Sequence, residues 1–225
     1  MTGYFRDAGS FEVSSGGDVV RVFVVGPIQT NCYAYVSAGE ALIVDPGAAG
    51  VRVAAALSGE KVVCVVGTHG HGDHVGGVAA LVSATGAPFE LAAPDVEMAE
   101  HASNPRHSGS GVSYDNDAPA PSRLLVEGDV VKVGTAQFRV METPGHTPGG
   151  ICLVGEGTAD GIAFVGDTLF PGSCGRTDLD GGDPDAMRQS LSRMGREIAP
   201  KTVLLCGHGP ATTMAEELEN NPFVQ

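Results

Sequence analysis

The chain has 225 residues, 42% of them hydrophobic and 18% charged, a balance that excludes a disordered chain and is ample for a sizeable core. Lys and Arg number 13 against 27 Asp and Glu, a net charge of −14. That charge argues against a nucleic-acid partner, which needs a basic face, and against docking on an anionic membrane surface.

From the N-terminus, the β-branched run 19–25, the run 31–37 and the short apolar run 41–44 read as strands. In the second of these Tyr33 and Tyr35 share a face, and Asp45-Pro46-Gly47 ends the third as a turn. Residues 51–58 read as a short helix closed by Gly59. The continuous apolar run 62–66 reads as a strand buried on both faces, 68–74 as a Gly-spaced polar loop and 75–85 as a helix stopped at Gly86. Residues 94–102 read as a helix and 103–122 as a long surface loop, either a cover over a site or a segment without order. The runs 123–126 and 130–133 flank Glu127-Gly128-Asp129 in the manner of a hairpin. Strands are expected over 135–142, 151–154, 162–165 and 203–206, and helices over 183–198 and 214–220. The natural layering is two sheets face to face with helices outside, an α/β (α+β) fold, in one domain spanning 1–225.

No apolar run approaches the roughly 20 residues of a membrane span, and the first residues lack the basic start and apolar stretch of a secretory signal. Cys32, Cys64, Cys152, Cys174 and Cys206 lie far apart without a CxxC pair. This fits free thiols in a reducing cytosol, so a cytoplasmic protein is expected.

The chemistry concentrates in Thr68-His69-Gly70-His71-Gly72-Asp73-His74, which follows a strand and precedes a helix. A polar turn or a helix cap needs one Asp or Ser and gives no reason for three imidazoles. His146, Asp167 and His208 sit in similar places, each after a strand and beside glycine. A lone histidine is usually structural, but together these positions supply five His and two Asp, which suit zinc, iron or manganese. Seven ligands are too many for one tetrahedral ion and fit two. His101 and His107 fall in or near the irregular loop and read as ordinary surface residues.

In order and spacing, His69, His71, Asp73, His74, His146, Asp167 and His208 resemble the ligand set of the metallo-β-lactamase superfamily. The resemblance implies a four-layer αββα sandwich. It places His69, His71 and His146 on one metal, Asp73, His74 and His208 on a second, and Asp167 between them, with Asp73 also catalytic. The best-known zinc β-lactamases have Cys where Asp167 stands, which argues against that activity. Asn31-Cys32-Tyr33, Asp45-Pro46-Gly47, Gly166-Asp167-Thr168-Leu169-Phe170, Gly175-Arg176-Thr177-Asp178, Gly207-His208-Gly209-Pro210 and Asn221-Pro222-Phe223 are similar to the short glyoxalase II-like branch. That likeness implies hydrolysis of a hydroxyacyl thioester with two divalent metal ions, zinc first and iron or manganese as options. Longer members carry Lys and Tyr where Arg176 and Asp178 stand, and the thiol carrier is left open. Arg176 either pairs with Asp178 or meets an anionic substrate. Asp45 either forms its turn, the simpler reading, or orients a ligand histidine. Cys174-Gly175-Arg176-Thr177-Asp178 also resembles persulfide dioxygenases, which implies one iron as the alternative.

Overall fold

The computed structural model describes residues 4–13, 17–106, 111–114 and 116–224. A first sheet runs in chain order through β1 (Phe5–Glu12), β2 (Val19–Val25), β3 (Thr30–Ser37), β4 (Glu40–Val44), β5 (Lys61–Val66), β6 (Phe89–Ala92) and β7 (Arg123–Leu125). β1 to β4 meander antiparallel, and from β4 onward the pairing is parallel. Parallel neighbours need crossovers, and these carry α1 (Gly50–Ala56), α2 (Gly72–Val75), α3 (Val78–Thr85) and α4 (Val96–Ala99). The rest of the chain forms β8 (Val130–Val133), β9 (Ala136–Glu142), β10 (Ile151–Glu156), β11 (Ile162–Gly166), the small hairpin β12 (Leu169–Phe170) and β13 (Ser173–Cys174), β14 (Val203–Cys206) and β15 (Thr212–Thr213). Its sheet has the order β15-β14-β11-β10-β9-β8, and α5 (Pro184–Glu197) and α6 (Met214–Asn220) belong to this half.

Period-two alternation sorts the apolar side chains into three layers. Tyr33, Tyr35, Leu42 and Val44 of the first sheet meet Phe138, Val140, Leu153 and Phe164 of the second in the central core. Cys32, Ala34, Ala41 and Ile43 face the other way and pack on Val53 of α1 and Val78 and Leu81 of α3. Met141, Cys152, Val165 and Leu204 face outward from the second sheet onto Met187, Leu191 and Met194 of α5 and Met214 of α6. The result is the expected helix–sheet–sheet–helix layering. Phe138 sits at its centre, with ring centroids 4.8 Å from Tyr35 and 5.3 Å from Phe164.

Three expectations are corrected. Residues 75–85 are not one helix, because α2 ends at Val75 and α3 starts at Val78. Between them Gly76 presses on its surroundings so closely that a Cβ there would lie 2.6 Å from Gly72 O and 2.8 Å from the Tyr114 side chain. Nor do 123–126 and 130–133 form a hairpin. β7 pairs with β6 in the first sheet and β8 with β9 in the second, so the Glu127-Gly128-Asp129 turn carries the chain from one sheet to the other. Residues 94–102 hold only a 3₁₀ turn and the four-residue α4 before irregular turns. Within 103–122 the described residues form no helix or strand. All five cysteines are free, and four of them are buried. Among the described residues no helix is long and apolar enough to cross a membrane.

Candidate metal centre

Four strands end at one edge of the sandwich, and each hands over to a loop or short helix with ligand-type side chains. β5 leads to His69 and His71 and then to Asp73 and His74 on α2; β9 leads to His146, β11 to Asp167 and β14 to His208. The structure brings all seven together. Three overlapping groups, His69–His71–His146, His69–His74–Asp167 and Asp73–His74–His208, each have ligand-type atoms within 4.8 Å of one another. His71 Nδ1 lies 3.0 Å from His146 Nε2, and His208 Nε2 lies 3.1 Å from Asp73 Oδ2. Asp167 sits between the groups, with oxygens 3.3 Å from His74 Nε2, 3.6 Å from His208 Nε2 and 3.7 Å from His146 Nε2.

The partners of the distal ring nitrogens fix which nitrogen faces inward. His74 Nδ1–H donates to Asp45 Oδ2 at 2.9 Å, and His146 Nδ1–H donates to the Arg176 carbonyl at 2.7 Å. Asp45 also accepts from the Thr68 backbone N–H and hydroxyl, both at 2.7 Å. With its proton committed to Asp45, the Thr68 hydroxyl is left to accept from His69 Nδ1–H, 3.1 Å away. His69, His74 and His146 therefore each turn Nε2 to the centre. Asp45 does more than form a turn: it has φ 54° and its carboxylate holds a ligand ring.

The charges are sorted in the same way. Burial, reinforced by neighbouring imidazoles, pushes His69 down and His71 down to about 4. Burial also works against a proton on His74, but the Asp167, Asp73 and Asp45 carboxylates outweigh it and hold that ring well above its usual value. His208 is likewise raised against burial, chiefly by its bond to Asp73. Burial would raise Asp73 and Asp167, yet His74 in particular keeps both carboxyls below their ordinary range.

Among the described residues, His69 Nε2, His74 Nε2, Asp73 Oδ1 and Asp167 Oδ1 are buried without a hydrogen-bond partner. An atom wholly without a partner costs about 1–3 kcal/mol, which His74 Nε2 and Asp167 Oδ1 offset in part as an ion pair at 3.3 Å. The four atoms converging on one spot fit a centre whose missing partners are cations, and imidazole with carboxylate suits divalent metals. The centre opens into a cavity of about 370 Å³ lined by His71, Asp73, His146, Asp167 and His208, with Ile28, Phe170 and Arg176 at its sides. Arg176 is held in a two-pronged pair with Asp178, Nε to Oδ1 at 2.7 Å and Nη2 to Oδ2 at 2.8 Å. No described residue of 103–122 lines the cavity. His101 is exposed, bonds Glu97 O and is in none of the three clusters, while His107 lies outside the described residues.

Other supports were hidden in the sequence. Asn31 donates to the Cys206 and Gly209 carbonyls, and the Tyr33 hydroxyl donates to Cys206 O, which fixes the His208 loop. Glu217 accepts from the Gly172 N–H, and Asn221 donates to the Phe170 and Ser173 carbonyls, so α6 braces the β12–β13 hairpin at the cavity wall. The Asn-Tyr and Asn-Pro-Phe stretches gave a signal for these contacts only through resemblance; Glu217 gave none.

A family model described as the metallo-beta-lactamase superfamily matches residues 25–208. An uncharacterized protein of Aquifex aeolicus is 39% identical over 91% of this chain and 96% of its own length. Hydroxyacylglutathione hydrolase GloC of Haemophilus influenzae is 29% identical over 91% and 97%. Among solved structures, the BLEG-1 B3 metallo-beta-lactamase aligns with a TM-score of 0.83 at 32% identity, covering 92% of this chain and 99% of that one. TTHA1623 in a di-iron-bound form aligns with a TM-score of 0.78 at 35% identity, covering 89% and 98%. With its sandwich, its strand-end cluster and a family match over most of its length, the chain belongs to the metallo-beta-lactamase superfamily.

Proposed function

We propose that this protein is a dinuclear metal-dependent hydrolase of a hydroxyacyl thioester. The observation that carries the reading is the double cluster, with buried, partnerless donor atoms in both halves. His69, His71 and His146 would hold a first ion, Asp73, His74 and His208 a second, and Asp167 would lie between them. When bound, two such ions, zinc in the first instance, supply a Lewis acid for the acyl oxygen and bring the pKa of water from 15.7 to about 7. The side chains supply the geometry. Asp73, 3.1 Å from His208 Nε2, would help to hold the second ion and orient the attacking water there.

The leaving group follows from what lines the cavity. Beyond the ligand set, its described walls are Ile28, Phe170 and Arg176, none of which gives up a proton near neutral pH. A thiolate departs without a proton, whereas an amine needs one. This favours a thioester over an amide such as a β-lactam. The likeness to a hydroxyacylglutathione hydrolase along nearly the whole chain supports the same class. A single-iron persulfide dioxygenase is the weaker reading, because it leaves Asp73, His74 and His208 converging without a task.

The test is a substrate panel on the metal-loaded protein: S-lactoylglutathione, thioesters of other small thiols, a β-lactam, and glutathione persulfide with oxygen uptake recorded. Thioester hydrolysis that a chelator abolishes and added metal restores is expected. Oxygen consumption with persulfide and no thiol release from any thioester would overturn the proposal.

A further inference from the structure

We infer that Asp95 is a positioning residue for the first metal cluster, its buried carboxylate tying the loop of His69 and His71 to the loop of His146. Asp95 ends the 3₁₀ turn Ala93–Asp95 and stands at the N-cap of α4. An aspartate at that position ordinarily accepts a hydrogen bond from the first turn of its helix. Asp95 makes no such bond. Its carboxylate points the other way, where Oδ2 accepts the Gly70 N–H at 2.8 Å and Oδ1 accepts the Gly149 N–H at 2.6 Å. The residue is 0% exposed, so neither water nor its own helix competes for it.

The two donors are placed for this task. Gly70 separates His69 from His71, and Gly149 follows three residues after His146. Both approaches are too close for a side chain, since a Cβ on Gly70 would lie 2.5 Å from Asp95 O and one on Gly149 would lie 2.7 Å from Asp95 Cγ. One carboxylate thus sets the separation of two loops whose rings, His71 and His146, face each other at 3.0 Å. The second cluster is held by other means: His74 by Asp45, and the His208 loop by Asn31 and Tyr33. Asp95 therefore acts on one cluster and spares the other.

This rests on the metal reading above, and the test separates the two. Asp95→Asn keeps the size but sets an amide NH₂ against one of the backbone donors. Zinc would be titrated into the metal-free full chain against a competing chelator, with the two binding steps assigned from His146→Ala and His208→Ala. Expected for Asp95→Asn is a 10- to 100-fold weaker first step, about the scale for loss of a group that orients a ligand, and a second step within about threefold of wild type. Gly149→Ala, which drives a methyl onto the same carboxylate, is expected to do the same. Amide exchange in the metal-free wild type gives a reading independent of any variant, with Gly70 and Gly149 expected among the protected amides. Equal weakening of both steps, or no weakening, would overturn the positioning role while leaving the metal reading intact, as would unprotected Gly70 and Gly149 amides. Failure of the wild type to bind zinc, iron or manganese at all would overturn both.

Discussion

Asp73 combines a bonded oxygen with a partnerless one inside the same buried carboxylate. Asp73→Ala is therefore expected to lower kcat by about 10²–10⁴-fold, the usual range for losing a group that handles a proton. It is expected to keep the metal-free fold, because it also removes an unsatisfied buried atom. Turnover close to wild type, measured with the best thioester of the panel, would contradict the role. Arg176 is expected to behave differently. Its guanidinium is already engaged by both oxygens of Asp178, so Arg176→Ala is expected to leave kcat/KM for S-lactoylglutathione within about threefold. A much larger loss would mean that Arg176 leaves Asp178 to meet the substrate. The seven ligand-type residues were legible in the sequence because each has a donor side chain at the end of an apolar run. Asp45 was legible only as one of two alternatives, and Asp95 and Glu217 not at all, because their partners are groups brought close only by folding, such as Gly70 and Gly149 for Asp95. A single carboxylate in a turn or a helix carries no local mark of such a contact.

Among the elements, α5 shows how a charged contact ties helix to sheet. Arg193 donates to both oxygens of Glu127 at 2.6 and 2.9 Å and also to Glu197, so the helix is pinned to the turn between β7 and β8. The bond from Arg193 holds the Glu127 carboxyl below the ordinary glutamate value. A depressed native pKa contributes stability above the unfolded value and loses it as pH falls through the native one. Glu127 is 40% exposed, so screening limits the pair to about 0.5–1 kcal/mol. Glu127→Gln is expected to lower Tm by a few degrees at pH 7 and by progressively less below pH 4.5. Thermal melts at both pH values check this, and a deficit that persists in acid would assign the loss to packing. The long amphipathic α5 and the apolar strands of the second sheet were legible because their periods run over enough residues. β1 was missed because nearly all of its residues are exposed, and β12, β13 and β15 because two residues have no period. The exchange of β7 and β8 between sheets was also hidden, since a turn sequence does not say which sheet follows it.

Over the whole molecule, the charge of −14 opposes an anionic substrate. Outside the metal centre, the cation lining the cavity is already paired, so the rest of the rim adds little attraction against that field. Raising ionic strength from about 0.01 to 0.15 M shortens the screening length from about 30 to 8 Å. It is expected to raise kcat/KM for S-lactoylglutathione severalfold and to leave an uncharged thioester unchanged. A fall with salt would instead indicate steering by a cationic patch. Two metal sites sharing one edge of the sandwich would show directly in the metal content of the protein at saturation. Elemental analysis after loading with zinc and removal of excess is expected to give two ions per chain, falling to one in His208→Ala. One ion per chain at saturation in the wild type would contradict the dinuclear account.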